Sequence, residues 1–187
     1  MIKKEINPQK LYYGFPIFLM GYKDSSFDYN FTTLSSSYSL GNMVVVGVYK
    51  FGNAVKQVKE SRCFTINVPD ETLMREIEIG GTNSGKNKFD LASNLTYHIS
   101  DKLDVPIIDN CMLNLECEVV QIVESDEFEN YTNIIASIKG RWIKEELQEE
   151  GVLLRDNFNP VFYLGDGNQR SYRYLDHRMN DFANFSI

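Results

Sequence analysis

The sequence predicts a mainly β domain of barrel-like organisation with a few short helices. Segments rich in aromatic and β-branched residues recur along the chain, separated by Gly, Asn and Asp clusters that suit strand connections. Only two short stretches carry helical periodicity, and both lie between the third strand and the second half of the chain. A doubly wound sheet would need helices regularly between strands, so the pattern favours a closed or nearly closed β core.

In chain order, residues 15–22, 28–38 and 43–50 read as the first strands. NAVKQVKES then spaces Ala54, Val55 and Val58 at intervals of one and three, which predicts a short helix leading into the strand CFTINV before Pro69. Asp70 is placed to cap a second helix, in which Leu73, Met74 and Ile77 share a face and Gly80 supplies the stop. CMLNLECEVVQIV and YTNIIASIKGRWI alternate partially around the polar turn SDEFEN and predict a long antiparallel hairpin. A last strand, PVFYLG, precedes the polar aromatic tail SYRYLDHRMNDFANF.

The chain has 187 residues, 43% of them hydrophobic and 24% charged, which predicts one globular domain spanning 1–187. No apolar run approaches the ~18 residues of a membrane span, and the start MIKKEINPQK lacks a signal-peptide core, so a cytoplasmic protein without membrane association is expected. A net charge of −7 makes nucleic acid a poor partner. Cys63, Cys111 and Cys117 are scattered and odd in number, and His98 and His177 lie far apart, so neither a disulfide framework nor a metal site is expected. The cysteines read as small buried apolar residues. Acidic runs around Glu116–Glu129 and in KEELQEE read as charged outer faces.

Three segments can carry chemistry. DYNFTTLSSSYS sets Asn30, Thr32, Thr33, Ser35, Ser36 and Ser37 in a dense row of small donors and acceptors. Such a row can approach the edge of a flat heteroaromatic ring, and an edge strand whose hydroxyls face water fits the same residues. YKFGNAVKQVKESR carries Lys50, Lys56, Lys59 and Arg62 against Glu60 alone, and a helix beginning near Asn53 would turn free N–H groups toward an anion. Solvated lysines on a polar helix face are the competing explanation. GGTNSGKNKFD begins like a phosphate-binding P-loop at Gly80, Gly85 and Lys86, but Asn87 stands where the Ser or Thr that holds magnesium belongs. Moreover, a helix is expected before this loop, where a P-loop requires a strand.

The order of these pieces resembles the flavin reductase-like, FMN-binding split-barrel family over roughly residues 11–165. The matching fragments are Asn30, Thr33 and Ser35 as Asn-x-x-Thr-x-Ser; Phe64-Thr65-Ile66-Asn67-Val68-Pro69; Ser84 and Gly85 followed by Lys88 and Phe89; Leu115-Glu116-Cys117; and Tyr163 in Tyr-x-x-Gly. The resemblance implies a Greek-key split β-barrel, a homodimer, and FMN bound near the subunit interface. It assigns cofactor contacts to Asn30, Thr32, Thr33, Leu34, Ser35, Ser36 and Ser37, to Tyr49, Lys50 and Asn53, to Ser84, Gly85, Lys88 and Phe89, and to Tyr163. Lys88 is expected beside the flavin ring and the segment around Lys50 and Asn53 at the phosphate. Gly41-Asn42-Met43 and Asn53-Ala54 depart from the family pattern, the second where a phosphate-binding Ser or Thr is usual. The implied activity is that of an FMN-dependent oxidoreductase, a flavin reductase using NAD(P)H, with a flavoredoxin-like carrier fed by a redox protein partner as the alternative. No catalytic residue beyond the flavin is implied.

Overall fold

Alternation along residues 17–22 builds two cores at once. In the computed structural model, which describes residues 2–8, 10–167, 169–176 and 178, the first strands are β1 (Tyr12–Pro16) and β2 (Phe18–Asp24). Phe18, Met20 and Tyr22 join a cluster with Val46, Phe64, Cys117 and Ile134, whereas Ile17 and Leu19 join a second with Phe31, Ile77 and Ile108. Side chains on a strand point alternately to its two faces, so one strand serves both.

The next strands are β3 (Asp28–Leu34), β4 (Ser37–Leu40) and β5 (Met43–Tyr49). Helix α1 (Asn53–Ser61) follows, then β6 (Cys63–Val68). Seven strands form one antiparallel sheet, which also contains β9 (Leu113–Glu124) and β10 (Tyr131–Ile143), in the order β3-β2-β6-β9-β10-β5-β4. Strands β3 and β4 occupy opposite edges of it, yet only Ser35 and Ser36 separate them in the chain. Two residues cannot span a flat seven-stranded sheet, whose neighbouring strands lie about 4.8 Å apart. The sheet must therefore roll up until its edges meet, leaving a β-barrel open along one seam, the split barrel expected from the sequence. The first cluster fills its interior, and Ala54, Val55 and Val58 of α1 belong to that cluster.

Helix α2 (Met74–Thr82) and the helical turn α3 (Lys88–Leu91) lie outside the barrel against β3. The short ladder of β7 (Tyr97–Ile99) with β8 (Pro106–Ile108) is tied to the barrel through Asn67. The Asn67 amide donates to the Leu19 carbonyl at 2.9 Å, and its oxygen accepts from the Ile108 N–H at 3.1 Å and the Asn114 amide at 2.8 Å. Strands β11 (Gln148–Glu149) and β12 (Val152–Leu153) pair locally. Finally β13 (Phe162–Gly165) and β14 (Arg170–Arg173) complete a three-stranded sheet with β1. No helix among the described residues is long and apolar enough to cross a membrane.

Several local expectations change. The strand expected over 15–22 is divided at Ile17, whose N–H donates to the Val161 carbonyl at 2.7 Å. The strand expected over 28–38 breaks at Ser35–Ser36, where the chain crosses the seam. Asp70 does cap, accepting from the Thr72 N–H at 2.9 Å. Gly80 does not end its helix, which continues to Thr82. A Cβ there would stand 2.3 Å from Thr33 Oγ1 and 2.9 Å from Phe31 Cε2, so the bare glycine is what lets α2 pack this closely on β3. Of the tail, residues 171–173 belong to β14 and residues 174–176 and 178 carry no regular structure, while His177 and residues 179–185 lie outside the described residues.

Candidate functional site

The barrel seam opens into two adjoining cavities, one of about 770 Å³ and one of about 290 Å³. Strand β3 lines both. Its alternation turns Asn30 and Thr32 toward the smaller cavity and Thr33 toward the larger, and Leu34 borders both. Val48, Tyr49 and Gly81 are also common to the two walls, so the cavities form one continuous cleft.

The smaller cavity favours an anion. Gly52 through Val55, the start of α1, line one side, and Gly52 caps the helix with no side-chain hydrogen bond. The first-turn amides carry the positive end of the helix dipole. Ser84, Gly85 and Lys88 line the other side. Lys88 is only 6% exposed, and its ammonium donates to the Phe31 carbonyl at 2.9 Å. Burial pushes its pKa down to about 8, partly offset by the Asp24 carboxylate. Asn30 fixes the loop: its oxygen accepts from the N–H groups of Phe31 at 2.9 Å and Lys88 at 3.1 Å, while its amide donates to the Lys86 carbonyl at 3.0 Å. Asn53 reaches this cavity, but its amide donates to Asp24 at 2.9 Å and its oxygen accepts from Gln57 at 3.4 Å. Its side chain is thus engaged, and its backbone N–H is what it can offer an anion.

The larger cavity is wide, hydroxyl-edged on one side and aromatic elsewhere. Thr33 spends its hydroxyl proton on the Ile77 carbonyl at 2.7 Å, which leaves its oxygen able to accept. Ser35 and Ser36 also line it, and their side chains are hydrogen-bonded to no other described residue. Tyr12, Tyr163 and Tyr172 form a ring wall, with Tyr12 and Tyr163 centroids 5.0 Å apart and Tyr163 and Tyr172 5.7 Å apart. Phe128 and Tyr131 line it as well. Such a space suits a flat ring, and the smaller cavity suits a charged group attached to it.

Asn30, Thr32, Thr33, Leu34, Ser35, Ser36, Tyr49, Asn53, Ser84, Gly85, Lys88 and Tyr163 all meet in this cleft. Three expected residues line neither cavity. Ser37 begins β4 and is paired with Val46. The Lys50 ammonium rests on Glu124 at 2.6 Å, beside Lys59 on the same carboxylate. Phe89 packs with the second core and stacks on Tyr97 at 4.1 Å between centroids. The glycine-rich loop follows helix α2, and Lys86 only approaches the Asn83 oxygen at 3.5 Å, so the P-loop arrangement is absent here. Tyr12, Tyr22, Glu78, Arg170 and Tyr172 also line the cleft, and sequence reasoning did not find them. Their only signal was aromatic and charged residues in strand segments and, for Glu78, a charged position on helix α2, which is shared by many surface positions.

Comparison with known proteins bears on what this cleft holds. Residues 28–167 match the family model described as the flavin reductase like domain. An uncharacterised protein of Bacillus subtilis is 25% identical over 173 residues, which cover 84% of this chain and 81% of that protein. The flavoredoxin of Methanosarcina acetivorans superposes with a TM-score of 0.86 at 21% identity, covering 98% of this chain and 97% of that one. The flavoredoxin of Desulfovibrio vulgaris superposes with a TM-score of 0.85 at 20% identity, covering 98% of both chains. These structural likenesses show the same fold.

Proposed function

Because the chain belongs to the flavin reductase-like family, we propose that it is a flavoprotein oxidoreductase that binds FMN along the barrel seam, the ring in the larger cavity and the phosphate in the smaller. One observation carries the placement: a hydroxyl-edged, ring-sized cavity opens directly into a small one holding a buried cation and an uncapped helix start. The residues present fit the group. Backbone N–H groups at the start of α1 and the Lys88 ammonium supply donors to a phosphate dianion, a pairing that helix termini favour.

Lys88 therefore serves the phosphate and not, as expected from the sequence, the ring. It shares its cavity with the helix start, and the Phe31 carbonyl holds it there. The Ser35 and Ser36 hydroxyls and the Thr33 oxygen orient the ring edge. When bound, the flavin supplies the hydride and one-electron chemistry itself, and the protein sets its position and surroundings. The electron donor in this reading is NAD(P)H. A second copy of the chain covers the rim beside the cleft, where Tyr49, Phe51 and Tyr131 are 54%, 66% and 46% exposed and the Tyr49 ring contacts the other two.

The test is the visible spectrum of the purified protein, followed anaerobically on addition of NADH or NADPH. Rapid bleaching of a bound flavin supports the reductase. A yellow protein inert to both nucleotides assigns it instead to carriers reduced by a protein partner, and failure to bind FMN removes the proposal.

A further inference from the structure

We propose that the end of the larger cavity walled by Tyr12, Tyr163 and Tyr172 is a subsite for a flat aromatic anion, with Arg170 and Lys10 receiving the anionic group. The inference rests on the flavin reading, because it gives the occupant of this end its place beside the flavin ring.

The fold brings the parts together from distant segments. In the three-stranded sheet Tyr163 stands directly opposite Tyr172, and Tyr12 opposite Gly165. Their rings meet at tilted angles, 64° for Tyr12 with Tyr163 and 47° for Tyr163 with Tyr172, so they leave a wall and not a closed stack. Arg170 is anchored at the mouth of this wall: one terminal N–H group lies 3.4 Å from the Tyr163 phenol oxygen, and Nε donates to the Gly167 carbonyl at 3.2 Å. A guanidinium has five N–H donors, so most remain for a ligand, already oriented by those two contacts. Lys10 lines the same cavity, and a Cβ added at Gly167 would lie 3.8 Å from the Lys10 Cβ, which places the root of this side chain beside the same turn.

The acidic groups nearby are occupied. Glu78, the one carboxylate lining the cavity among the described residues, accepts from the Tyr172 hydroxyl at 2.8 Å. Asp166 accepts from the Gln169 N–H at 2.9 Å. Burial and the Glu78 carboxylate both push the Tyr172 phenol up, so that ring presents a neutral hydroxyl at physiological pH. Two cations thus face one engaged carboxylate across an aromatic surface. This end is also remote in kind from the smaller cavity, whose cation and helix start belong to the other end of the cleft.

The test uses the FMN-loaded protein titrated calorimetrically with benzoate and with its neutral isostere benzamide. Benzoate should bind more tightly, and more weakly as salt is raised. Arg170→Gln should weaken benzoate about tenfold, the loss of one charge-assisted contact, while leaving benzamide affinity unchanged. Lys10→Gln should weaken benzoate less. Equal binding of the two probes, benzoate unaffected by Arg170→Gln, or benzoate displacing FMN would each overturn the subsite. If the protein does not bind FMN, the same titration of the flavin-free protein still reads the benzoate preference, so the two failures are separable.

Discussion

The Lys88 ammonium donates to the backbone carbonyl of Phe31 at 2.9 Å from a side chain that is almost wholly buried. One strand residue thus holds the cation of the small cavity, and that cation's state governs two predictions.

Lys88→Met should weaken FMN by roughly 10- to 150-fold, as expected for one charge-assisted contact of roughly 1.5 to 3 kcal/mol, and should leave riboflavin nearly unchanged. Fluorescence titration with both ligands checks this. Equal weakening of the two would move Lys88 away from the phosphate.

The lowered pKa of Lys88 has a sign that can be tested by melting. Between about 8 and the ordinary 10.5 the unfolded chain holds this proton and the folded flavin-free chain does not. The burial penalty is therefore full below pH 8 and is relieved as pH rises through that window. Thermal melts of wild type and Lys88→Met without flavin should show the wild type gaining relative to the variant from pH 8 to 10.5. FMN affinity should fall over the same range in the wild type, as the free site loses its cation, and stay flatter in Lys88→Met.

Lys50→Ala should leave the preference for FMN over riboflavin intact. The sequence alone suggests the opposite, but the Lys50 ammonium is drawn to Glu124, which also binds Lys59. Together these two lysines hold the Glu124 carboxyl below its usual range. Parallel titrations of Lys50→Ala and Lys88→Met decide which lysine faces the phosphate.

Gly80→Ala should destabilise the protein by about 1 to 3 kcal/mol, because the added methyl meets Thr33 and Phe31 where no space exists. For a chain of this size that lowers the melting temperature by roughly 2 to 4 °C per kcal/mol. A packing change at Thr33 also reaches the larger cavity, so flavin binding should weaken with it. An unaltered melt would mean that α2 can move off β3.

Light scattering of dilute protein should report twice 21.6 kDa. Phe51→Glu, which puts a charge on the exposed aromatic rim, should shift the protein toward monomer. A wild-type monomer that still binds FMN would show that the cleft is complete in one chain.

Much of the fold was legible in the chain because burial leaves periodic marks. Helix α1, the strand CFTINV and the long β9–β10 hairpin follow from spacing of apolar residues and from turn chemistry. Most of the candidate site was legible too, since Asn30 to Ser36 and the Ser84 to Lys88 loop are local stretches of unusual composition. Local sequence also carries the uncapped start of α1, because Gly52 has no side chain with which to cap it.

Tertiary structure alone decided what depends on partners far away in the chain. Periodicity cannot say that Glu124, 74 positions on, neutralises Lys50, or that Phe31 captures Lys88. Nor can composition show that Ser35–Ser36 is a crossing between the two edges of one sheet, which is what opens the seam. The aromatic wall joins Tyr12 to Tyr163 and Tyr172 through strand pairing across some 150 positions. Each of these is a non-local contact, selected by the closure of the barrel and not by any preference of the residues taken a few at a time.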